Sequence, residues 1–149
     1  MVAFGGNDAV DGNMKATGGD TTIGPVVAHG YILTNDSTNN RVQLHQGGDV
    51  VPIGISAGPS QKDADGVQLV TADASVSFYP VHGLHYVRAK ASQTWTTGLG
   101  VYCGDGGLAL DGADASGQQL GIYIGTGVTS SSTDGETLIP VLCSGVGHA

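Results

Sequence analysis

The sequence predicts an all-β protein, a small β-barrel or β-sandwich body with an extended N-terminal arm. Short apolar runs alternate with period two at Val42/Leu44, Val67/Leu69, Val76/Phe78, Leu84/Tyr86, Leu99/Val101/Cys103 and Leu120/Ile122/Ile124. That spacing places successive side chains on opposite faces of a strand. Turn-forming residues separate the runs at intervals of about 8–12 residues, the rhythm of sandwiches and barrels. No stretch repeats apolar residues at helical spacing over three turns without Gly or Pro intervening, so no long helix is expected.

In chain order, Met1 to Thr22 carries five Gly, three Asp and few large apolar residues. It reads as an arm that becomes ordered only where something docks it. One β domain is expected from 23 to 149. Its candidate strands are Val26 to Leu33, Arg41 to Gln46, Val50 to Ser56, Gly66 to Thr71 and Ser75 to Tyr79. Leu84 to Ala89, Leu99 to Cys103, Gly107 to Leu110, Gln119 to Ile124 and Thr137 to Cys143 complete the set. A short helical turn fits only Asp111 to Gln118. Between the strands lie Gln46-Gly47-Gly48-Asp49, Lys62-Asp63-Ala64-Asp65-Gly66 and Cys103-Gly104-Asp105-Gly106-Gly107, which supply positive φ angles and side chains that bond their own backbone. One internal similarity stands out: Pro52-Ile53-Gly54-Ile55-Ser56-Ala57-Gly58 resembles Gln119-Leu120-Gly121-Ile122-Tyr123-Ile124-Gly125. Two copies make no solenoid, but they suggest related hairpins within one β body.

The 149 residues are 40% apolar and 12% charged, enough to bury a core. Twenty-six glycines without a three-residue period exclude collagen. A net charge of −8 argues against nucleic acid and against anionic membrane, since both are held by clustered Lys and Arg. No run approaches the ~20 apolar residues of a membrane span. Met1 to Gly6 has neither a basic segment nor an apolar one, so synthesis and folding in a cytoplasm are expected.

No catalytic or cofactor constellation emerges, and an enzyme is not expected. Gly54-Ile55-Ser56-Ala57-Gly58 matches the G-x-S-x-G pattern, but a nucleophile elbow needs a helix after the turn, and Pro59-Ser60-Gln61 starts another turn instead. His82 and His85 stand three apart on a strand and therefore face opposite ways, which does not suit one metal. Asp63-Ala64-Asp65-Gly66 begins like a calcium loop without the closing Glu, and reads as a solvated turn. Cys103 and Cys143 fall in apolar runs and read as small buried hydrophobes, with a bridge between them left open. Phe78, Tyr86 and Tyr123 read as core or interface. Trp95, flanked by Ser92-Gln93-Thr94 and Thr96-Thr97, reads as an exposed aromatic that could bind a ligand.

Gly47-Gly48-Asp49-Val50-Val51-Pro52-Ile53-Gly54-Ile55-Ser56, followed by Val76-Ser77-Phe78-Tyr79-Pro80-Val81-His82-Gly83, is similar to the small capsid decoration (cement) proteins of tailed bacteriophages and related tailed viruses. So is the closing part, from Gly98-Leu99-Gly100-Val101-Tyr102-Cys103 through Gln119 to Ile124 and on to Leu142. The tract Thr129-Ser130-Ser131-Ser132-Thr133 and the turn Gly104-Asp105-Gly106-Gly107 depart from that pattern. The resemblance implies a non-enzymatic virion protein on the outer surface of the capsid, without cofactor or metal. Its partners would be the major capsid protein and further copies of itself, in a homotrimer. Val2, Phe4 and Val10 are the expected anchors of the arm in intersubunit or shell contacts. The alternative class is a carbohydrate-binding or host-adhesion module, which would need Trp95 and tyrosines exposed along a groove.

Overall fold

The computed structural model describes residues 10–15, 29–36, 41–59, 75–112 and 117–144. They form twelve strands, numbered in chain order, and no helix among the described residues. The first sheet contains β1 (Val10–Lys15), β2 (His29–Asp36), β3 (Arg41–Leu44), β4 (Pro52–Pro59) and β5 (Ser75–Tyr79) in the spatial order β1-β5-β4-β2-β3. The second contains β6 (His82–Arg88), β8 (Gly100–Cys103), β9 (Ala109–Leu110), β10 (Gln119–Tyr123) and β12 (Leu138–Ser144) in the order β6-β12-β10-β8-β9. The two-residue strands β7 (Thr94–Trp95) and β11 (Val128–Thr129) pair separately. The protein is all-β and sandwich-like. The sheets do not close into a barrel, although a parallel bridge between Ala89 and Ala109 draws the edges of the second sheet together.

The second sheet repeats the first strand for strand. Ranked along the chain, each sheet has its first strand at one edge, its fifth beside that, then its fourth, second and third. All pairings within both sheets are antiparallel. The registers agree as well. Leu33 pairs with Gly54 and Ile32 with Ile55 in the first sheet, as Val101 pairs with Gly121 and Gly100 with Ile122 in the second. Ile55 pairs with Tyr79 as Ile122 pairs with Leu142. These pairings coincide with the Gly54-Ile55 and Gly121-Ile122 steps of the internal similarity in the sequence.

Ile32 and Ile55 of the first sheet share one core with Val87, Val101, Cys103, Leu120, Tyr123, Ile139, Val141 and Cys143 of the second. A second cluster packs Tyr31, Leu44, Ile53 and Phe78 around the fully buried Leu33 and Val42. The halves are also joined through the backbone. Ile32 N–H donates to Gly107 O at 2.9 Å, His45 N–H to Ile32 O at 2.9 Å, and Gly107 N–H to His45 O at 2.9 Å. His45 is buried at this joint. Its Nδ1 accepts from Gly47 N–H at 2.9 Å, which leaves the proton on Nε2 to be donated to Val50 O at 2.6 Å.

Two sequence expectations change. The N-terminal arm does not depend throughout on an outside partner, because residues 10–15 form β1 at the edge of this chain's own first sheet, Val10 pairing with Phe78. Val2 and Phe4 lie outside the described residues. Trp95 is not exposed: it is 1% accessible, sits in the main core and tilts against Tyr123 with ring centroids 5.8 Å apart. Its polar neighbours mislead because β7 is half-buried, with Thr94 facing water and Trp95 facing in. Of the three aromatics read as core or interface, Tyr123 lies in the main core, Phe78 packs on the second cluster and Tyr86 is exposed. The candidate strand Gly66 to Thr71, the Asp63/Asp65 turn and much of the Asp111 to Gln118 turn lie outside the described residues.

Candidate interaction surface

The second sheet turns an apolar face outward. Strand β12 alternates strictly, with Ile139, Val141 and Cys143 buried and Leu138, Leu142 and Ser144 exposed. On β6, His85 and Val87 are buried while His82, Leu84 and Tyr86 are exposed. Cross-strand pairing aligns the outward residues. Leu84 stands opposite Leu142, Leu142 opposite Ile122, and Ile122 opposite Gly100, so one row runs across four strands. Tyr86 stands opposite Pro140, and Ile124 N–H donates to Pro140 O at 3.2 Å, which sets a second row beside the first. The large side chains of these rows, Leu84, Tyr86, Ile122, Ile124 and Leu142, are 40–52% accessible. Covering each half-exposed Leu or Ile would contribute about 1 kcal/mol.

Charge is kept off these rows. The exposed acids Asp49, Asp105, Asp111, Asp134 and Glu136 all lie in connections between strands. Arg88, at the end of β6, is engaged elsewhere: Nε donates to His29 O at 2.6 Å, Nη1 to Gly135 O at 2.7 Å, and the guanidinium lies 5.2 Å from the Tyr31 ring centre. Lys90 pairs with Asp134 at 3.4 Å on the surface. The Asp134 carboxyl is held below its ordinary value chiefly by the Ala91 N–H that it accepts at 2.8 Å, and further by Lys90. The two rows thus form an apolar patch without a charged side chain.

The residues singled out for chemistry are not brought together. Ser56 is fully buried, and its Oγ accepts from Tyr31 N–H at 2.9 Å. His85 is buried, with Nε2 2.8 Å from His82 O and its ring stacked 5.2 Å from Tyr79, whereas His82 faces water. Cys103 and Cys143 are buried free thiols, and burial pushes both up to about 12, with the neighbouring Cys143 adding to the effect on Cys103. Among the described residues no three His, Cys, Asp or Glu side chains are grouped to hold a metal ion. Nor does any helix among them have the length and apolarity to cross a membrane.

Reading the strands from sequence did not reveal the outward apolar rows. A signal for them exists in Leu138-Ile139-Pro140-Val141-Leu142-Cys143, which is apolar at both parities, as a strand with two apolar faces must be. Comparison of the chain with protein-family models, with curated proteins and with solved structures finds no match.

Proposed function

We propose that this protein is a capsid decoration (cement) protein, a non-enzymatic virion component that binds the outer surface of a viral capsid and stabilises it. Its partners in this reading are the major capsid protein of the same virus and further copies of itself, as a homotrimer. The resemblance in the Gly47–Ser56 and Gly98–Leu142 segments supplies the class. The observation that supports it most is the pair of outward apolar rows on the second sheet, which carry no charged side chain. Adhesion through aromatic platforms loses its main residue, since Trp95 is part of the core.

Co-sedimentation tests this directly. Purified full-length protein is mixed with shells assembled from the major capsid protein alone, and the shells are then heated. Saturable binding and a higher shell dissociation temperature are expected. Shells that leave the protein in the supernatant would overturn the proposal.

A further inference from the structure

We infer that the chain is a tandem duplication of one five-stranded unit, and that the row Leu84–Leu142–Ile122 of the second unit seats a second copy of this chain. The two units have the same strand order and matching registers through the Gly54-Ile55 and Gly121-Ile122 steps. Those registers make Ile32–Ile55–Tyr79 in the first unit the counterpart of Gly100–Ile122–Leu142 in the second.

The two rows have opposite fates. Ile32 and Ile55 are 0% and 1% accessible, packed into one core with residues of the second unit, and Tyr79 stacks on His85 of that unit. This place in the repeat is therefore already an interface between one five-stranded unit and another. In the second unit the same place is again apolar, but Ile122 and Leu142 remain 40% and 47% accessible. A second copy is the partner that carries a unit of this topology by construction. Charge favours the same occupant: a chain of net charge −8 meets its own copy with least repulsion over rows that carry no acidic side chain.

This deepens the self-association in the proposed function by assigning it a face, and it is tested on purified protein away from any shell. Light scattering should give the wild type a mass that is a multiple of one chain. The double variant Ile122→Glu/Leu142→Glu should fall to the mass of one chain while keeping its β-type circular dichroism. Val50→Glu, exposed on a turn outside the row, should assemble as the wild type does. A spin label attached through Tyr86→Cys, with Cys103 and Cys143 buried, should lose mobility as protein is concentrated through assembly. That readout stands if the double variant fails to fold. A wild type that stays monomeric, a folded double variant that still assembles, or a label that stays mobile in the assembled protein would each overturn the inference. Failure of decoration itself would show separately, as absence from shells with these masses unchanged.

Discussion

Gly54 and Gly121 occupy the same position in two sheets of identical strand order, and neither has room for a methyl group. A Cβ at Gly54 would meet the Phe78 ring, with Tyr79 O at 2.8 Å. At Gly121 it would meet Leu142 O, with Cys143 Cα at 2.8 Å. The glycines let the fourth strand of each unit lie close against the fifth, which aligns the rows above.

The obstacles differ, and so should the costs. Gly121→Ala drives a methyl into the backbone of β12, which cannot turn aside, and should cost about 3 kcal/mol, the upper end for overpacking. Gly54→Ala meets the Phe78 ring and one backbone oxygen, Tyr79 O, where Gly121→Ala meets the backbone of two residues, and should cost less, about 2 kcal/mol. Urea denaturation midpoints of the two variants check the order; equal midpoints would contradict it.

Trp95→Ala should destabilise the fold by about 3–5 kcal/mol, as removal of a large core side chain does. Trp95 Nε1 is buried without a hydrogen-bond partner, so Trp95→Phe forfeits no such bond and should cost well under half as much. Trp95 is the single tryptophan, so its emission should be blue-shifted in the native state and move to the red on unfolding. Emission already at the free-indole wavelength in the native protein would contradict the burial.

Acid should destabilise the protein through His45. Burial holds this imidazole below its ordinary value of 6.5, more strongly than the Val50 carbonyl and Asp105 raise it. The folded state therefore takes up a proton less readily than the unfolded chain. The stabilisation is complete above pH 6.5 and is lost as pH falls below it, with a slope of at most about 1.4 kcal/mol per pH unit for one proton. Protonation would also turn Nδ1 from acceptor to donor against Gly47 N–H. Unfolding free energies from pH 8 to pH 5 should show this slope in the wild type and a flatter one in His45→Gln.

The thiols set the alkaline limit. Cys103 and Cys143 are raised from 9.0 to about 12, so their stabilisation is present below pH 9 and lost between pH 9 and 12, as only the unfolded chain ionises. At pH 8 a thiol reagent should label neither in the native protein and both in urea. Fast labelling without denaturant would contradict their burial.

The alternating runs located strands in the sequence, but not always their buried faces, since Leu84, Tyr86 and Ile122 are exposed. Val42/Leu44, Val76/Phe78, Leu84/Tyr86 and Leu120/Ile122 all fall in strands. β1 was not legible, since Val-Asp-Gly-Asn-Met-Lys has no alternation and is held by its pairing with β5. β7 and β11 are too short to show a period. Periodicity also says which residues share a face, not which face meets water. Where both parities are apolar, as in β12, only the packing partner decides, and so the outward row of Leu84, Leu142 and Ile122 could not be told from the inward one. The internal similarity carried the most information, because its Gly-Ile steps mark equivalent central strands of two sheets.

Quantitative mass spectrometry of purified virions tests whether this chain decorates a shell. A decoration protein predicts this chain in intact particles at a copy number close to that of the major capsid protein, and accessible to protease added from outside. Its absence from the particles, or its presence in only a few copies, would contradict decoration.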